Sequence, residues 1–315
     1  MQNIALLGFG RIGKKYYQTS LRSKHIVINK ILKKRVINLK IPNVKFFKNF
    51  DLLNRDKNIE AYIIATPVES HYEYARKIVN KKKPFILEKP LVANYEELIK
   101  LYKICKNYKH SIFVNHIDLY NPAFSAFLKN LKSIGTYKKI HISYGKYQKI
   151  KKFNIRNKKK KFFLPSFDWL PHPLALSVKL VGFPKKISII KNKIIIKNNY
   201  IFQNSNIELK CKKKIVNINF SNEYSIAKRR IKIKGSKGTL IYDGYKKNML
   251  VKKNNKNLFK KINFKKIEPI ENLLKYFNYS IKNKSNINDI NLAYKVMKIL
   301  FIINNKMKKK LKFNL

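Results

Sequence analysis

Three stretches of this 315-residue chain carry residue types that could do chemistry. Glu88-Lys89-Pro90 follows the apolar run Phe85-Ile86-Leu87, so a buried strand is expected to deliver a carboxylate and an ammonium at its C-terminal end. In an open α/β sheet, ligands bind just beyond those ends, and an ammonium there can donate to a developing oxyanion. Asp168-Trp169-Leu170-Pro171-His172-Pro173 puts a carboxylate shortly before an imidazole, at the start of a helix predicted from about Pro171. A carboxylate that close can orient and polarise a neutral histidine for general base work near pH 7. Gly8-Phe9-Gly10-Arg11-Ile12-Gly13 has the spacing of a loop that cradles a pyrophosphate. Taken singly, each has a plainer reading: a solvated ion pair, a capping or core histidine, and a structural turn.

The elements around these residues give them a common frame. Asn3 to Leu7 reads as a strand and Arg11 to Leu21 as a helix, which is the context the glycine loop requires. The first glycine permits the tight turn, the second lets a phosphate approach the backbone, and the third lets helix pack on strand. The helix N-terminus then faces the anion. Strands are predicted at Ile26 to Leu32, Ile59 to about Ala65, Phe85 to Leu87 and Ser111 to Asn115. Helices over about His71 to Val79 and Tyr95 to Lys106 alternate with them. That alternation predicts a parallel, doubly wound sheet over residues 1–120.

Beyond Asn121-Pro122 the pattern changes. One helix, Ala123 to Leu131, leads into strands at 139–147, 185–190, 193–197, 207–211, 215–220, 230–234 and 239–242. Runs of strands with short turns, such as Gly235-Ser236-Lys237-Gly238, predict a second domain over 121–315 on an open, mostly antiparallel sheet. Helices over about Pro269 to Lys282 and Asp289 to Lys306 close the chain, and the last is expected to be able to pack back on the first domain.

Composition bounds the function. The formal net charge of +56 points, by itself, to nucleic acid or an anionic surface. Only 8 of the 72 basic residues are arginine, however, whereas base and phosphate recognition favours the guanidinium. The lysines run through the whole chain beside an excess of Asn and Ile, which reads as general bias, and Lys158–Lys161 as a solvated loop. No specific nucleic-acid partner is expected. Cys105 and Cys211 are too few for a disulfide scaffold and fit a reducing cytoplasm. No leader and no apolar run of about 18 residues is evident, so no membrane partner is expected, and no metal.

Taken together, the pieces resemble one family, the glucose–fructose oxidoreductase / inositol dehydrogenase (Gfo/Idh/MocA) family. They are Gly8–Gly13, Ala65-Thr66-Pro67 with His71 after it, Glu88–Pro90, Asn121-Pro122-Ala123, Asp168 with His172, and Gly235–Leu240. The resemblance implies an N-terminal Rossmann domain and a C-terminal α/β domain with an open antiparallel sheet. It also implies hydride transfer between NAD or NADP and a sugar, nucleotide sugar, cyclitol or related carbon centre. The catalytic groups it implies are Lys89, Asp168 and His172. The cofactor is expected to meet Gly8, Phe9, Gly10, Arg11, Ile12, Gly13, Lys33, Thr66, Pro67, His71 and Glu88, and the substrate Lys89, His116, Trp169 and His172. The resemblance further implies pairing of copies through the C-terminal sheet.

The chain departs from the family pattern in four places. Phe163-Leu164-Pro165-Ser166 replaces glycines before Asp168, Ala175 replaces an acid after His172, and Leu119-Tyr120 replaces an arginine before Asn121. The acid that would grip an NAD ribose is missing from the end of the second strand, where Lys33-Lys34-Arg35 stands instead. Those cations could pair with the extra phosphate of NADP, which is therefore slightly favoured. Two alternatives stay open: reduction of another unsaturated centre, as in bilin-reducing members, and a non-catalytic nucleotide-binding protein.

Overall fold

The computed structural model describes residues 1–23, 25–33, 40–151, 164–246, 248–254 and 258–311. Lys34, Arg35, the run Lys158–Lys161 and Phe163 lie outside the described residues. The chain divides into two units, one of 1–117 with 268–294, the other of 118–267 with 295–315.

The first unit is built on six strands: β1 (Gln2–Leu7), β2 (Ile26–Leu32), β3 (Lys45–Phe47), β4 (Ala61–Ile64), β5 (Phe85–Leu87) and β6 (Ile112–Val114). Their order is β3-β2-β1-β4-β5-β6, and every pair is parallel. This is the doubly wound order, whose direction reverses between β1 and β4 and leaves a crevice at the strand ends there. Strands β4 to β6 carry unbroken apolar runs because helices cover the sheet: Ala61–Ile64, Phe85–Leu87 and Ile112–Val114 are buried throughout. The crossovers are α1 (Arg11–Leu21), α2 (Phe50–Asn54), α3 (His71–Asn80) and α4 (Tyr95–Cys105), with α8 (Pro269–Lys282) packed on α1 and α3 on α4. Asn94 caps α4 by accepting the Glu97 N–H at 2.8 Å, and Glu96 and Glu97 suit the positive end of its dipole. The outer edge of β6 is closed by a late segment. Ile112 N–H donates to Ile287 O at 2.8 Å, and Asp289 N–H donates to Ile112 O at 2.9 Å.

The second unit holds a nine-stranded sheet formed by β7 (Lys139–Gly145), β8 (Ile150–Lys151), β9 (Lys186–Lys197), β10 (Tyr200–Cys211), β11 (Lys214–Ser221), β12 (Lys228–Lys234), β13 (Gly238–Asp243), β14 (Asn248–Lys253) and β15 (Lys260–Lys261). It is antiparallel except that β7 and β11 run parallel. Alternation sorts its two faces. Ile140, Ile142, Val216, Ile218, Ile231 and Ile233 point inward and are fully buried, while His141, Lys232 and Arg230 point outward and are exposed. Helices α5 (Pro122–Lys129), α6 (Pro165–Trp169) and α7 (Pro171–Val181) pack on this sheet.

One expectation needs correction. The strands predicted at 185–190 and 193–197 are one strand, β9, which pairs with β10 along its length. Lys191-Asn192-Lys193 looks like a turn, but a register shift opposite Asn206/Ile207 leaves Ile190 over as a bulge and the ladder continues. Asp168 lies just before α7, the helix that carries His172 in its first turn, as expected, and is itself part of the short helix α6.

Candidate active site

The glycine loop leaves β1 and enters α1. Gly8 takes φ +97°, and a Cβ there would come within 2.5 Å of Ala65 O. A Cβ on Gly13 would sit 2.2 Å from Gly8 O, so the bare backbone lets α1 dock on the loop. Gly10 differs: nothing lies within 4 Å of where its Cβ would point. The first and third glycines answer to protein packing, the second to open space at a helix N-terminus. That is the arrangement a dinucleotide pyrophosphate requires, and the residues fit such a group. Phe9 is buried and packs edge-on against Tyr17 and Phe46, with ring centroids 5.8 and 5.7 Å away. Arg11 and Ile12 form the first turn of α1. Lys33 follows β2, its N–H bonded to Phe47 O at 2.8 Å, so Lys33 and Lys48 succeed adjacent strand ends.

The loops after β4 and β5 are tied together. His71 opens α3, is buried, and has Nδ1 and Nε2 each 2.9 Å from a carbonyl oxygen, of Pro90 and Thr66 respectively. Burial holds its pKa below the usual histidine range, although both carbonyls pull the other way. A neutral ring owns a single N–H and so donates to one carbonyl at a time. Ser70 donates to the Thr66 hydroxyl at 2.8 Å, and Pro67 precedes a short 3₁₀ turn, Val68–Ser70.

Beyond β5 stands Glu88, buried. Tyr16 of α1 donates to its Oε1 at 2.8 Å, and Asn115 Nδ2 donates to the same oxygen. Burial raises the Glu88 pKa, while these donors oppose the rise. Lys89 follows, half-buried. Just past β6, His116 is 1% exposed, and neither ring nitrogen has a hydrogen-bond partner among the described residues. The same holds for Asn115 Oδ1. Burial, with help from the Lys89 charge, pushes the His116 pKa down to about 3, so the ring is neutral and offers one donor and one acceptor. Buried polar atoms without partners carry a desolvation cost, which is why such groups are uncommon outside functional sites.

In the second unit His172 lies in the first turn of α7 and is buried, while Asp168 is exposed on α6. Trp169 is buried, its indole edge-on to Tyr144 at 6.1 Å, and its Nε1 has no hydrogen-bond partner among the described residues. Tyr144 also stacks on the His172 ring, with centroids 5.5 Å apart and planes inclined by 16°.

Sequence reasoning missed the groups below His172. Asp118 is 2% exposed and accepts from Tyr144 at 2.9 Å on Oδ2 and from Tyr242 at 2.7 Å on Oδ1. Arg229 Nε lies 3.7 Å from Oδ1, and His172 Nδ1 lies 4.0 Å from Oδ2. Strand register assembles the cluster: Tyr144 of β7 is paired with Arg229 of β12, and Tyr242 sits on the next strand, β13. The Arg229 guanidinium also lies over the rings of Tyr144 and Tyr245, at 5.3 and 4.9 Å. Burial works against the Arg229 charge, but Asp118 and the surrounding tyrosines more than offset it and raise its pKa. Burial first, and Asp118 second in effect to it, keep the Tyr242 hydroxyl protonated; Tyr144 is raised likewise by burial, against the opposing charge of Arg229. A signal was present in the sequence: with Ile231 and Ile233 facing inward, alternation turns Arg229 inward too, and a buried cation requires an anion. The motif Asn121-Pro122-Ala123 has a plain local role, since Asn121 caps α5 by accepting the Ala123 N–H at 3.0 Å.

Comparison with known proteins agrees with this anatomy. Residues 2–116 match the model of GFO_IDH_MocA, the oxidoreductase family with an NAD-binding Rossmann fold. Scyllo-inositol 2-dehydrogenase (NADP(+)) IolW of Bacillus subtilis is 24% identical over 193 residues, covering 59% of this chain and 53% of IolW. UDP-N-acetylglucosamine 3-dehydrogenase GnnA from Acidithiobacillus ferrooxidans superposes with a TM-score of 0.77 at 15% identity, covering 96% of each chain. Biliverdin reductase from Synechocystis sp. PCC 6803, solved with biliverdin and NADP+, gives a TM-score of 0.74 at 15% identity, covering 94% of this chain and 96% of that one. The stretches matched in curated relatives span 18% to 60% of those relatives' own lengths. Over residues 2–116 the chain is similar to the NAD-binding Rossmann part of that oxidoreductase family, and the solved structures share the fold along nearly the whole chain. Among the described residues, no helix is long and apolar enough to cross a membrane.

Proposed function

We propose that this protein is an NAD(P)-dependent oxidoreductase acting on a carbinol or carbonyl carbon of a sugar, nucleotide sugar or cyclitol. The observation that carries the reading is the loop Gly8–Gly13, where Gly8 and Gly13 are packed against backbone and Gly10 alone faces open space. The substrate class is supported by the names of IolW and GnnA. When bound, the nicotinamide ring supplies a hydride acceptor or donor. The chain's own groups then manage the substrate oxygen. In the oxidative direction His172 accepts the proton of the substrate hydroxyl, and Lys89 donates a hydrogen bond to that oxygen as it gains alkoxide character. Asp168 serves as orienting carboxylate, and His116 and Trp169 as substrate contacts. NADP is slightly preferred, with Lys33 offering a cation for the extra phosphate and IolW and biliverdin reductase both named with NADP+. We extend the proposal to a homo-oligomer through the outer face of the second sheet, which sedimentation velocity tests.

The test is oxidation of scyllo-inositol and of UDP-N-acetylglucosamine with NADP+ and NAD+, followed by His172→Ala and Lys89→Ala. Each variant is expected to lose on the order of a hundred- to ten-thousand-fold in turnover with cofactor affinity little changed. Near-normal rates in both variants would remove His172 and Lys89 from the chemistry, whereas cofactor binding with no turnover of any of these substrates by the wild-type protein would leave a non-catalytic nucleotide-binding protein. A second reading, reduction of a bilin-like centre, draws on the biliverdin reductase likeness. Turnover of biliverdin with NADPH, and none of either polyol, would replace the first reading with the second.

A further inference from the structure

Asp118 is held in the second unit through both of its carboxylate oxygens. Separate tyrosines bond its two oxygens, Tyr242 at Oδ1 and Tyr144 at Oδ2, and Arg229 stands by at 3.7 Å. What remains of its Oδ2 faces His172 Nδ1 at 4.0 Å, beyond hydrogen-bond length but close for an electrostatic contact. Tyr144 acts twice, since its hydroxyl fixes Asp118 while its ring lies nearly flat on the imidazole. The carboxylate's place and the ring's plane are thus set by one side chain.

We propose that Asp118 is a positioning residue for His172: clamped by Tyr144, Tyr242 and Arg229, it fixes the Nδ1 edge of the imidazole and favours the ring's protonated form. The inference deepens the proposed function and rests on its reading of His172 as the proton acceptor. The proton lost by the substrate hydroxyl becomes the second N–H of the ring, and the positive charge so formed lies beside the Asp118 carboxylate. Among the described residues, the titratable or charged groups facing His172 within this unit include Asp118, Tyr144 of β7 and, through Asp118, Arg229 of β12 and Tyr242 of β13; Asp168 lies on the preceding helix. Arg229 opposes Asp118, so removing either charge must move the imidazole in opposite directions.

The experiment is a ¹⁵N-histidine NMR titration of the full chain, with the His172 signal assigned by its loss in His172→Gln. Asp118→Asn is expected to lower the His172 midpoint by about one unit, and Arg229→Gln to raise it. Midpoints within about 0.3 unit of wild type in both variants would overturn the inference, because a shift of that size reflects no charged neighbour. If circular dichroism shows Asp118→Asn unfolded, Arg229→Gln decides alone: a rise supports the inference and no rise overturns it. The titration needs no substrate. Active His172→Ala would therefore refute the base assignment while leaving the measured coupling between Asp118 and His172 intact.

Discussion

Tyr16 donates its hydroxyl proton to Glu88 Oε1 at 2.8 Å, joining the helix that follows the glycine loop to the end of β5. Both groups are buried. Tyr16→Phe leaves the carboxylate short of a donor and is expected to cost about 1–3 kcal/mol in urea unfolding. Burial raises the Glu88 pKa, so the folded state holds its proton to higher pH than the unfolded state does. Stability from this residue is therefore present at low pH and declines as pH rises through the raised value. Glu88→Gln should flatten that decline; an unchanged slope of stability against pH would show that Glu88 does not set it.

The three glycines of the loop should separate under substitution. Gly13→Ala puts a Cβ 2.2 Å from Gly8 O and is expected to lose about 1–3 kcal/mol of stability. Gly10→Ala meets nothing in the protein and should leave stability within about 0.5 kcal/mol. Its cost should appear in cofactor titration by nicotinamide fluorescence, as an affinity loss on the order of tenfold or more. Equal affinity in Gly10→Ala and wild type would place the phosphates elsewhere.

His116 predicts an acid-side loss of stability. Its folded pKa is about 3 against an ordinary histidine value near 6.5, so between these the unfolded chain takes up a proton that the folded chain refuses. Stability is present above about pH 6.5 and is lost as pH falls below it. From pH 6.5 to 5 the loss due to this ring is about 2 kcal/mol. His116→Phe should remove most of it, measured as the difference in urea unfolding between pH 7 and 5. A variant as acid-sensitive as wild type would assign the effect to other groups, His71 first among them.

The proposed role of Lys33 in cofactor choice can be tested directly. Lys33→Ala should weaken NADPH binding by on the order of tenfold and leave NADH nearly unchanged, since only the former carries the extra phosphate. Equal losses for both cofactors would remove Lys33 from that role.

Much of the fold was legible because its signals are local. Gly8–Gly13 sits between a strand and a helix in the sequence itself, and the apolar runs of β4, β5 and β6 announce burial on both faces. Beyond the inward turn of Arg229, the Asp118 cluster was not legible. Residues 118, 144, 229 and 242 meet only through the pairing of β7 with β12 and of β12 with β13, and nothing local fixes that register. The single strand β9 was missed for a related reason. A polar triplet that resembles a turn is carried through by a neighbouring strand long enough to span it.

The outer edge of β6 is completed by residues 287–289, with Ser111 Oγ donating to Ser285 O and Val114 N–H donating to Asp289 Oδ2 nearby. The ribosome makes β6 well before it makes those residues, and the entire nine-stranded sheet is synthesised in between. During that interval the nascent first unit presents an unpaired strand edge. A nascent chain released short of residue 287 would keep that edge open, a template for association with other such chains. The sheet of the first unit is therefore finished only after the strands of the second have been made.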